Sequence, residues 1–111
     1  MSIGVDVMKI LYRKLVRDNI PNICIANNQK PKYKVLNDKE YKAALNKKLK
    51  EETKEYTRSN DIEELADILE VVEAIALAQG NTFEDVLKIK ETKANKNGKF
   101  EKKYFLDSVR K

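Results

Sequence analysis

One segment in the second half of the chain constrains the fold more than any other. It opens with Asn60 followed three residues later by Glu63, a helix-capping pattern, and it ends before Gly80, a common helix terminator. Stepped at about 100° per residue, the segment is apolar around most of its circumference, and its polar strip consists of Glu63, Glu70 and Glu73. Helices of this kind are buried in a core or between subunits, so we expect a mainly α-helical fold.

A second long helix is predicted immediately before this segment. Asn37 and Glu40 form the same capping pattern, which opens a helix from Asp38 to about Thr57. Only a short break at Ser59-Asn60 separates the two helices. We therefore expect them to pack against each other as an antiparallel helical bundle.

Weaker patterns predict two shorter helices and a small sheet. A short helix capped by Asp18 is predicted for residues 18–27, and a capping box opens a further helix over residues 82–95. Residues 32–36 and 100–106 alternate polar and apolar side chains, as strands do. We predict that these two segments pair as a two-stranded sheet.

The length and composition are those of a single domain. The chain has 111 residues, of which 41% are hydrophobic, and it contains no repeat, low-complexity block or linker. Its 3 glycines and 2 prolines leave long stretches uninterrupted, which favours helices. We therefore predict one domain over residues 1–111, in which residues 1–8 are a disordered arm, a short strand or a start-site artefact.

The chain is basic, with 23 Lys and Arg against 18 Asp and Glu and a formal net charge of +5. Such an excess favours anionic partners such as nucleotides, nucleic acids or acidic membrane surfaces, and a general richness in lysine explains it equally well. No apolar run reaches the length of a membrane span, and residues 1–7 lack the features of a signal peptide. We therefore expect a cytoplasmic protein without a membrane partner.

The rarest residue types exclude several kinds of catalytic site. The chain has no histidine, which removes the commonest general base and the commonest ligand of zinc, copper and nickel. Its single cysteine, Cys24, has no histidine partner for nucleophilic catalysis and is interpreted as a small apolar residue. Any metal must therefore be held by oxygen atoms, which indicates Mg²⁺, Mn²⁺ or Ca²⁺.

Four carboxylates lie close to apolar positions of the two long helices. Glu64 and Asp67 are three residues apart and share the apolar side of their helix. On the preceding helix, Glu52 lies within the apolar seam, and Glu55 follows three residues later. In an antiparallel pair all four meet at the same end. Because carboxylates in apolar surroundings are costly unless paired or bound to a metal, they predict a Mg²⁺ site, with Mn²⁺ as the alternative ion.

Such a site is suited to chemistry at a phosphate group. A bound Mg²⁺ polarises a phosphoryl group and lowers the pKa of an attacking water, and a spare carboxylate accepts the proton of that water. We assign this catalytic role to Glu51. The competing interpretation is a solvated acidic surface with Lys/Glu pairs, which explains the lysines of the first long helix but not Glu52, Glu64 and Asp67.

Several short motifs follow one another in order along the chain. They are Lys14-Leu-Val-Arg17-Asp18-Asn-Ile-Pro21, Glu52-Thr-Lys-Glu55, Glu64-Leu-Ala-Asp67 within the run Glu63–Glu70, and Asn97-Gly-Lys-Phe-Glu-Lys-Lys. This set resembles the MazG-like superfamily of all-α nucleoside triphosphate pyrophosphohydrolases, and most closely a small branch of house-cleaning phosphohydrolases. The resemblance covers residues 12–106, nearly the whole chain.

The resemblance implies an activity and an assembly. The activity is Mg²⁺-dependent hydrolysis between the α- and β-phosphates of a nucleoside triphosphate, which gives a nucleoside monophosphate and pyrophosphate. The assembly is a homodimer or homotetramer whose helices form a bundle across the interface. Lys14 and Arg17 in the opening motif, and Lys96 and Lys99 beside the closing turn, are the candidates to bind phosphate oxygens.

Two alternatives to this function stay open. The substrate is either a standard or non-standard nucleoside triphosphate, or another substrate of the same superfamily such as dUTP or phosphoribosyl-ATP. The competing class is a non-enzymatic helical module that binds nucleic acid through its lysines. In the predicted helices over residues 38–57 and 82–95 the lysines are interleaved with glutamates, and no recognition-helix or RNA-stacking motif is present, which disfavours a nucleic-acid partner.

Overall fold

The computed structural model describes residues 8–111, and this part of the chain contains four α-helices and no strand. The helices are α1 (Ile20–Ala26), α2 (Asp38–Ser59), α3 (Ile62–Ala78) and α4 (Phe83–Asn97). The prediction of a mainly α-helical fold is confirmed. None of these helices combines the length and apolar character that a bilayer crossing requires. The predicted arm at residues 1–8 lies, apart from Met8, outside the described residues.

Helix α2 begins where its capping pattern predicts. The Asn37 side chain accepts a hydrogen bond from the backbone N–H of Glu40 at 2.8 Å, and the Glu40 carboxylate accepts one from the backbone N–H of Asn37 at 3.3 Å. These bonds satisfy N–H groups that have no partner within the helix. The helix ends at Ser59, slightly later than predicted, because Asn60 adopts a left-handed conformation with φ of 54°.

The start of α3 differs from the prediction by one residue. Its N-cap is Asp61, whose side chain accepts a hydrogen bond from the backbone N–H of Glu63 at 3.0 Å, so the predicted Asn60 cap is wrong. Asn60 is not free for that role, because its left-handed backbone already terminates α2. At its other end α3 stops at Ala78, and Gly80 follows in the left-handed region with φ of 84°, as predicted.

The two flanking helices also follow their predicted starts closely. Helix α4 has a capping box between Thr82 and Asp85 and extends slightly beyond the predicted end, to Asn97. Helix α1 has Asn19 rather than Asp18 as its N-cap, so the predicted Asp18 cap is wrong. Asn19 makes no side-chain capping bond, and the first turn contains Pro21, whose fixed φ suits a helix start.

Helices α2 and α3 form an antiparallel pair at the centre of the molecule. Near their connection, Glu52 of α2 lies close to Glu64 and Asp67 of α3. One turn earlier along α2, Leu49 lines the same groove as Val72, which lies further along α3. The two helices therefore run in opposite directions, as the short connection requires.

The predicted two-stranded sheet does not form in this structure. Residues 32–36 and 100–106 contain no strand, and most of their apolar side chains face solvent, with Val35 94% exposed and Phe105 92% exposed. An isolated two-stranded sheet is marginal in water unless it packs against another layer. Because these apolar side chains do not pack on the helical pair, that stabilisation is missing.

The chain buries little apolar surface by itself. In the described part, the buried apolar residues are Leu45, Val71 and Ala76. The radius of gyration is 20.1 Å, whereas a compact chain of this length has about 13 Å. The core therefore consists of the α2–α3 seam and the start of α4, and some of the segments outside it, such as residues 100–106, extend away.

Candidate metal centre

Three carboxylates from two helices converge beside the α2–α3 connection. One oxygen each of Glu52, Glu64 and Asp67 lies within 4.8 Å of the other two, and all three residues are half-buried. We call these three residues the carboxylate cluster. Glu64 and Asp67 lie three residues apart on α3, and Glu52 lies about two turns before the end of α2. The cluster is therefore a direct product of the antiparallel pairing.

The local backbone explains why the cluster forms at this end of the pair. The left-handed Asn60 and the capping Asp61 reverse the chain in a short connection. The last turns of α2 therefore face the first turns of α3. Positions three residues apart on a helix share a face, so Glu64 and Asp67 both turn toward Glu52.

Glu55, the fourth predicted ligand, lies beside the cluster rather than within it. Its carboxylate is 3.6 Å from the guanidinium of Arg58, one turn further along α2. The negative charge of Glu55 still contributes to the raised pKa of Glu64. The structure thus brings three of the four predicted ligands together and places the fourth at the edge.

The negative charge around Glu64 is not fully neutralised by nearby cationic side chains. Desolvation of the carboxyl raises the pKa of Glu64, and the nearby carboxylates of Asp67 and Glu52 raise it further. Like charges held this close disfavour the ionised form. A divalent cation at this point would relieve the repulsion, which makes the donor set suited to such an ion.

Two cationic side chains already balance the other members of the cluster. Arg17, a predicted phosphate-binding residue, donates a hydrogen bond to Oδ1 of Asp67 at 2.7 Å. Lys48 lies 3.3 Å from Glu52, and these two side chains are only 16% and 12% exposed. Lys48 is not among the predicted site residues, although its spacing of four residues from Glu52 is the signal for such a pair.

Glu51, the predicted proton acceptor, points to a different set of partners. It accepts a hydrogen bond from Lys14 at 3.0 Å and lies 3.5 Å from Lys48. Burial alone would raise the pKa of Glu51, but the Lys14 hydrogen bond and the Lys48 charge outweigh it, so this pKa lies below its ordinary value. The pairing with Lys14 therefore makes Glu51 a weaker base than a free glutamate.

The remaining predicted phosphate ligands lie on the far part of α4. Lys96 is in the last turn of α4, and Lys99 follows the Gly98 cap. Within residues 8–111, neither lysine forms an ion pair with the carboxylate cluster. The structure therefore places Lys14 and Arg17, but not Lys96 and Lys99, against acidic residues of the α2–α3 pair.

The comparisons with known proteins add no relative. No protein-family model matches the chain, and no curated protein or solved structure does so. The MazG-like resemblance therefore stays a prediction that depends on the motifs alone.

The oxygen donors fit the demands of a small divalent cation. Mg²⁺ bonds to oxygens at about 2.1 Å, so opposite ligands of an octahedron are about 4.2 Å apart. One oxygen each of Glu52, Glu64 and Asp67 lies within 4.8 Å of the other two, which is slightly more than that separation. Mg²⁺ or Mn²⁺ would be held by Glu52, Glu64 and Asp67, with water or phosphate oxygens completing the shell.

Glu64→Gln is expected to raise the free energy of unfolding near neutral pH when no divalent cation is present. Because the pKa of Glu64 is raised, its contribution to stability is complete below the ordinary value of 4.5 and is lost as pH rises through the raised pKa. Glutamine keeps the neutral state at every pH. Thermal unfolding in EDTA should therefore give equal midpoints at about pH 4 and a higher midpoint for the variant at about pH 8.

The exposed Glu70→Gln on the same helix is the matched control, since it removes one charge from α3 outside the cluster. In Glu70→Gln the change in unfolding midpoint between about pH 4 and about pH 8 should be the same as in the wild type. A Glu64→Gln protein that unfolds at a lower temperature than the wild type at both pH values would contradict the prediction.

Proposed function

We propose that this chain is a Mg²⁺-dependent nucleotide pyrophosphohydrolase that cleaves between the α- and β-phosphates of a nucleoside triphosphate, standard or non-standard. The observation that supports it best is the carboxylate cluster, whose three oxygens lie within 4.8 Å. Two basic side chains of the opening motif, Lys14 and Arg17, lie against the same two helices. An oxygen-ligated cation beside basic groups is what a triphosphate chain needs.

The roles of the residues follow from their positions. When bound, the metal would polarise a phosphoryl group and lower the pKa of the attacking water. Glu52, Glu64 and Asp67 would hold this ion. Arg17 presents a planar guanidinium, which pairs with two phosphate oxygens at once, and Lys14 adds a second positive charge.

Glu51 is the proposed proton acceptor, and its basicity depends on Lys14. In the unbound chain the Lys14 hydrogen bond lowers the pKa of Glu51. A triphosphate would draw the Lys14 ammonium toward its own oxygens. Without that hydrogen bond the pKa of Glu51 rises, because one of the contacts that favour its ionised form is lost. Substrate binding would thereby make Glu51 a better base.

A nucleotide panel tests this function. The purified protein is incubated with Mg²⁺ and standard nucleoside triphosphates, oxidised or deaminated triphosphates, dUTP and phosphoribosyl-ATP, and pyrophosphate and orthophosphate are measured separately. The proposal expects pyrophosphate from at least one compound and none in EDTA. Release of orthophosphate alone would contradict cleavage at the α–β bond. A salt-dependent shift of DNA or RNA together with no hydrolysis would support the nucleic-acid-binding alternative instead.

We further propose that the active form is a homodimer or homotetramer. The accessible surface of the single chain is 10863 Å², against about 6,300 Å² for a compact monomer of this mass. Helix α3 exposes Ile62, Leu65 and Leu69 at 74%, 37% and 54%, and their spacing places them on one face. An apolar helix face of this kind is typical of a protein–protein interface.

Leu69→Glu is expected to dissociate the assembly, because it places a charge within this exposed face. Light scattering should give the mass of one 12.9 kDa chain for the variant and a multiple of it for the wild type. Val35→Glu is the matched control, since Val35 is 94% exposed and lies outside the α3 face. A wild-type protein with the mass of one chain would contradict the proposed assembly.

A further inference from the structure

The segment before α1 bridges the two helices that carry the cluster. Lys14 donates a hydrogen bond to Glu51 of α2 at 3.0 Å, and Arg17 donates one to Asp67 of α3 at 2.7 Å. We call residues 14–17 the basic strap. Its two ends are thus attached to different helices, and one end lies on a member of the carboxylate cluster itself.

The contact between Arg17 and Asp67 competes with any cation at the cluster. The guanidinium engages Oδ1 of Asp67, and a positive charge fixed there repels a divalent ion. The contact is nevertheless easy to break, because the Arg17 and Asp67 side chains are 57% and 39% exposed and exposed ion pairs contribute little to stability. Lys14 pairs with Glu51, which lies outside the cluster, so the competition is specific to the Arg17 end of the strap.

We propose that the basic strap is an internal competitor of the metal: Arg17 covers Asp67 in the free protein and leaves it when a divalent cation binds, which frees the guanidinium for phosphate oxygens. This inference rests on the proposed metal site. The same side chain thereby opposes metal binding before substrate arrives and favours triphosphate binding afterwards. By thermodynamic linkage, a change that removes Arg17 from Asp67 must strengthen metal binding. The gain equals the free energy of the Arg17–Asp67 contact.

The first measurement is Mn²⁺ binding without nucleotide. Calorimetry, or the electron paramagnetic resonance of free Mn²⁺, detects the binding. Arg17→Gln is expected to bind Mn²⁺ about threefold to fivefold more tightly than the wild type, which is the upper part of the range of an exposed ion pair. Arg13→Gln is the matched control, because it removes the same charge from a nearby position just before the strap. It should leave the affinity unchanged to within about 1.5-fold.

The second measurement separates competition from a purely structural role. Inorganic triphosphate, added with saturating Mg²⁺, is expected to bind Arg17→Gln more weakly than the wild type, so the variant changes the two affinities in opposite directions. Arg17→Lys keeps the charge but loses the planar fork, and it should restore part of both effects. Loss of affinity for both Mn²⁺ and triphosphate would overturn the competition and indicate that Arg17 only supports the fold.

The outcomes also distinguish the strap from the metal site on which it depends. If the wild type and Arg17→Gln bind Mn²⁺ equally tightly and Asp67→Asn does not bind it, the competition is overturned and the metal site is supported. Absence of Mn²⁺ binding in the wild type and in Arg17→Gln would overturn both. Circular dichroism of each variant verifies that the helices are intact.

Discussion

Asp67→Asn is expected to lower the rate of pyrophosphate release by about a hundredfold or more, since it weakens a ligand of the proposed catalytic metal. Asparagine has nearly the same size as aspartate but lacks its negative charge. An oxygen of Asp67 lies within 4.8 Å of the other two cluster oxygens, so the substitution removes one of the three negative charges that would hold the cation. Initial rates at saturating Mg²⁺ measure the loss of pyrophosphate release, and Mn²⁺ titration measures the loss of metal affinity.

Asp38→Asn is the matched control for this substitution. Asp38 is exposed in the first turn of α2, at the end of the helix away from the cluster, and should retain the wild-type rate. Glu52→Gln is expected to reproduce the Asp67→Asn loss, whereas Glu55→Gln should cost less, because Glu55 lies beside Arg58 at the edge of the site. Full activity in both Asp67→Asn and Glu52→Gln would rule out a metal centre at this position.

Leu45→Ala is expected to lower the free energy of unfolding by about 2–4 kcal/mol, because it removes most of a buried side chain from the small core. Leu45 is 2% exposed and lies in the α2 seam that faces α3. Its removal leaves a cavity between the two helices that carry the cluster. Because a chain of this size is only marginally stable, much of its folded-state stability would be lost.

Urea unfolding followed by circular dichroism measures this change, with both proteins at the same concentration because an assembly would make the midpoint concentration-dependent. Leu106→Ala is the matched control: the same atoms are removed from a side chain that is 77% exposed. It should shift the free energy of unfolding by less than about 0.5 kcal/mol. Equal losses in the two variants would show that the α2–α3 seam is not the core of the fold.

The starts of the helices could be predicted because their signals are local. Asn37 with Glu40, and Thr82 with Asp85, each satisfy backbone N–H groups within a few residues, and both capping boxes are present. The capping pattern predicts Asn60 as the cap of α3, whereas this residue is the left-handed end of α2. Asn60 and Asp61 are adjacent, and either residue type can cap the start of a helix. Only the geometry at the end of α2 shows that Asp61 is the cap of α3.

The carboxylate cluster could be predicted in part for the same kind of reason. Three-residue spacing fixes the common face of Glu64 and Asp67, and a short connection fixes the antiparallel register that brings Glu52 to them. The position of Glu55 could not be predicted this way. It is one turn from Glu52, but its distance from α3 depends on how the two helices pack near their connection.

Spacing along one or two helices was therefore enough to predict the set of helices, their antiparallel order and the carboxylates near their junction. The tertiary structure decided which charges meet those carboxylates. The contact of Arg17 with Asp67 joins residues 50 positions apart, and the contact of Lys14 with Glu51 joins residues 37 apart. No local periodicity fixes such distances, because they depend on the path that an irregular segment takes across two packed helices. The missing sheet has the same origin, since a strand forms only where tertiary packing offers it a partner and a surface.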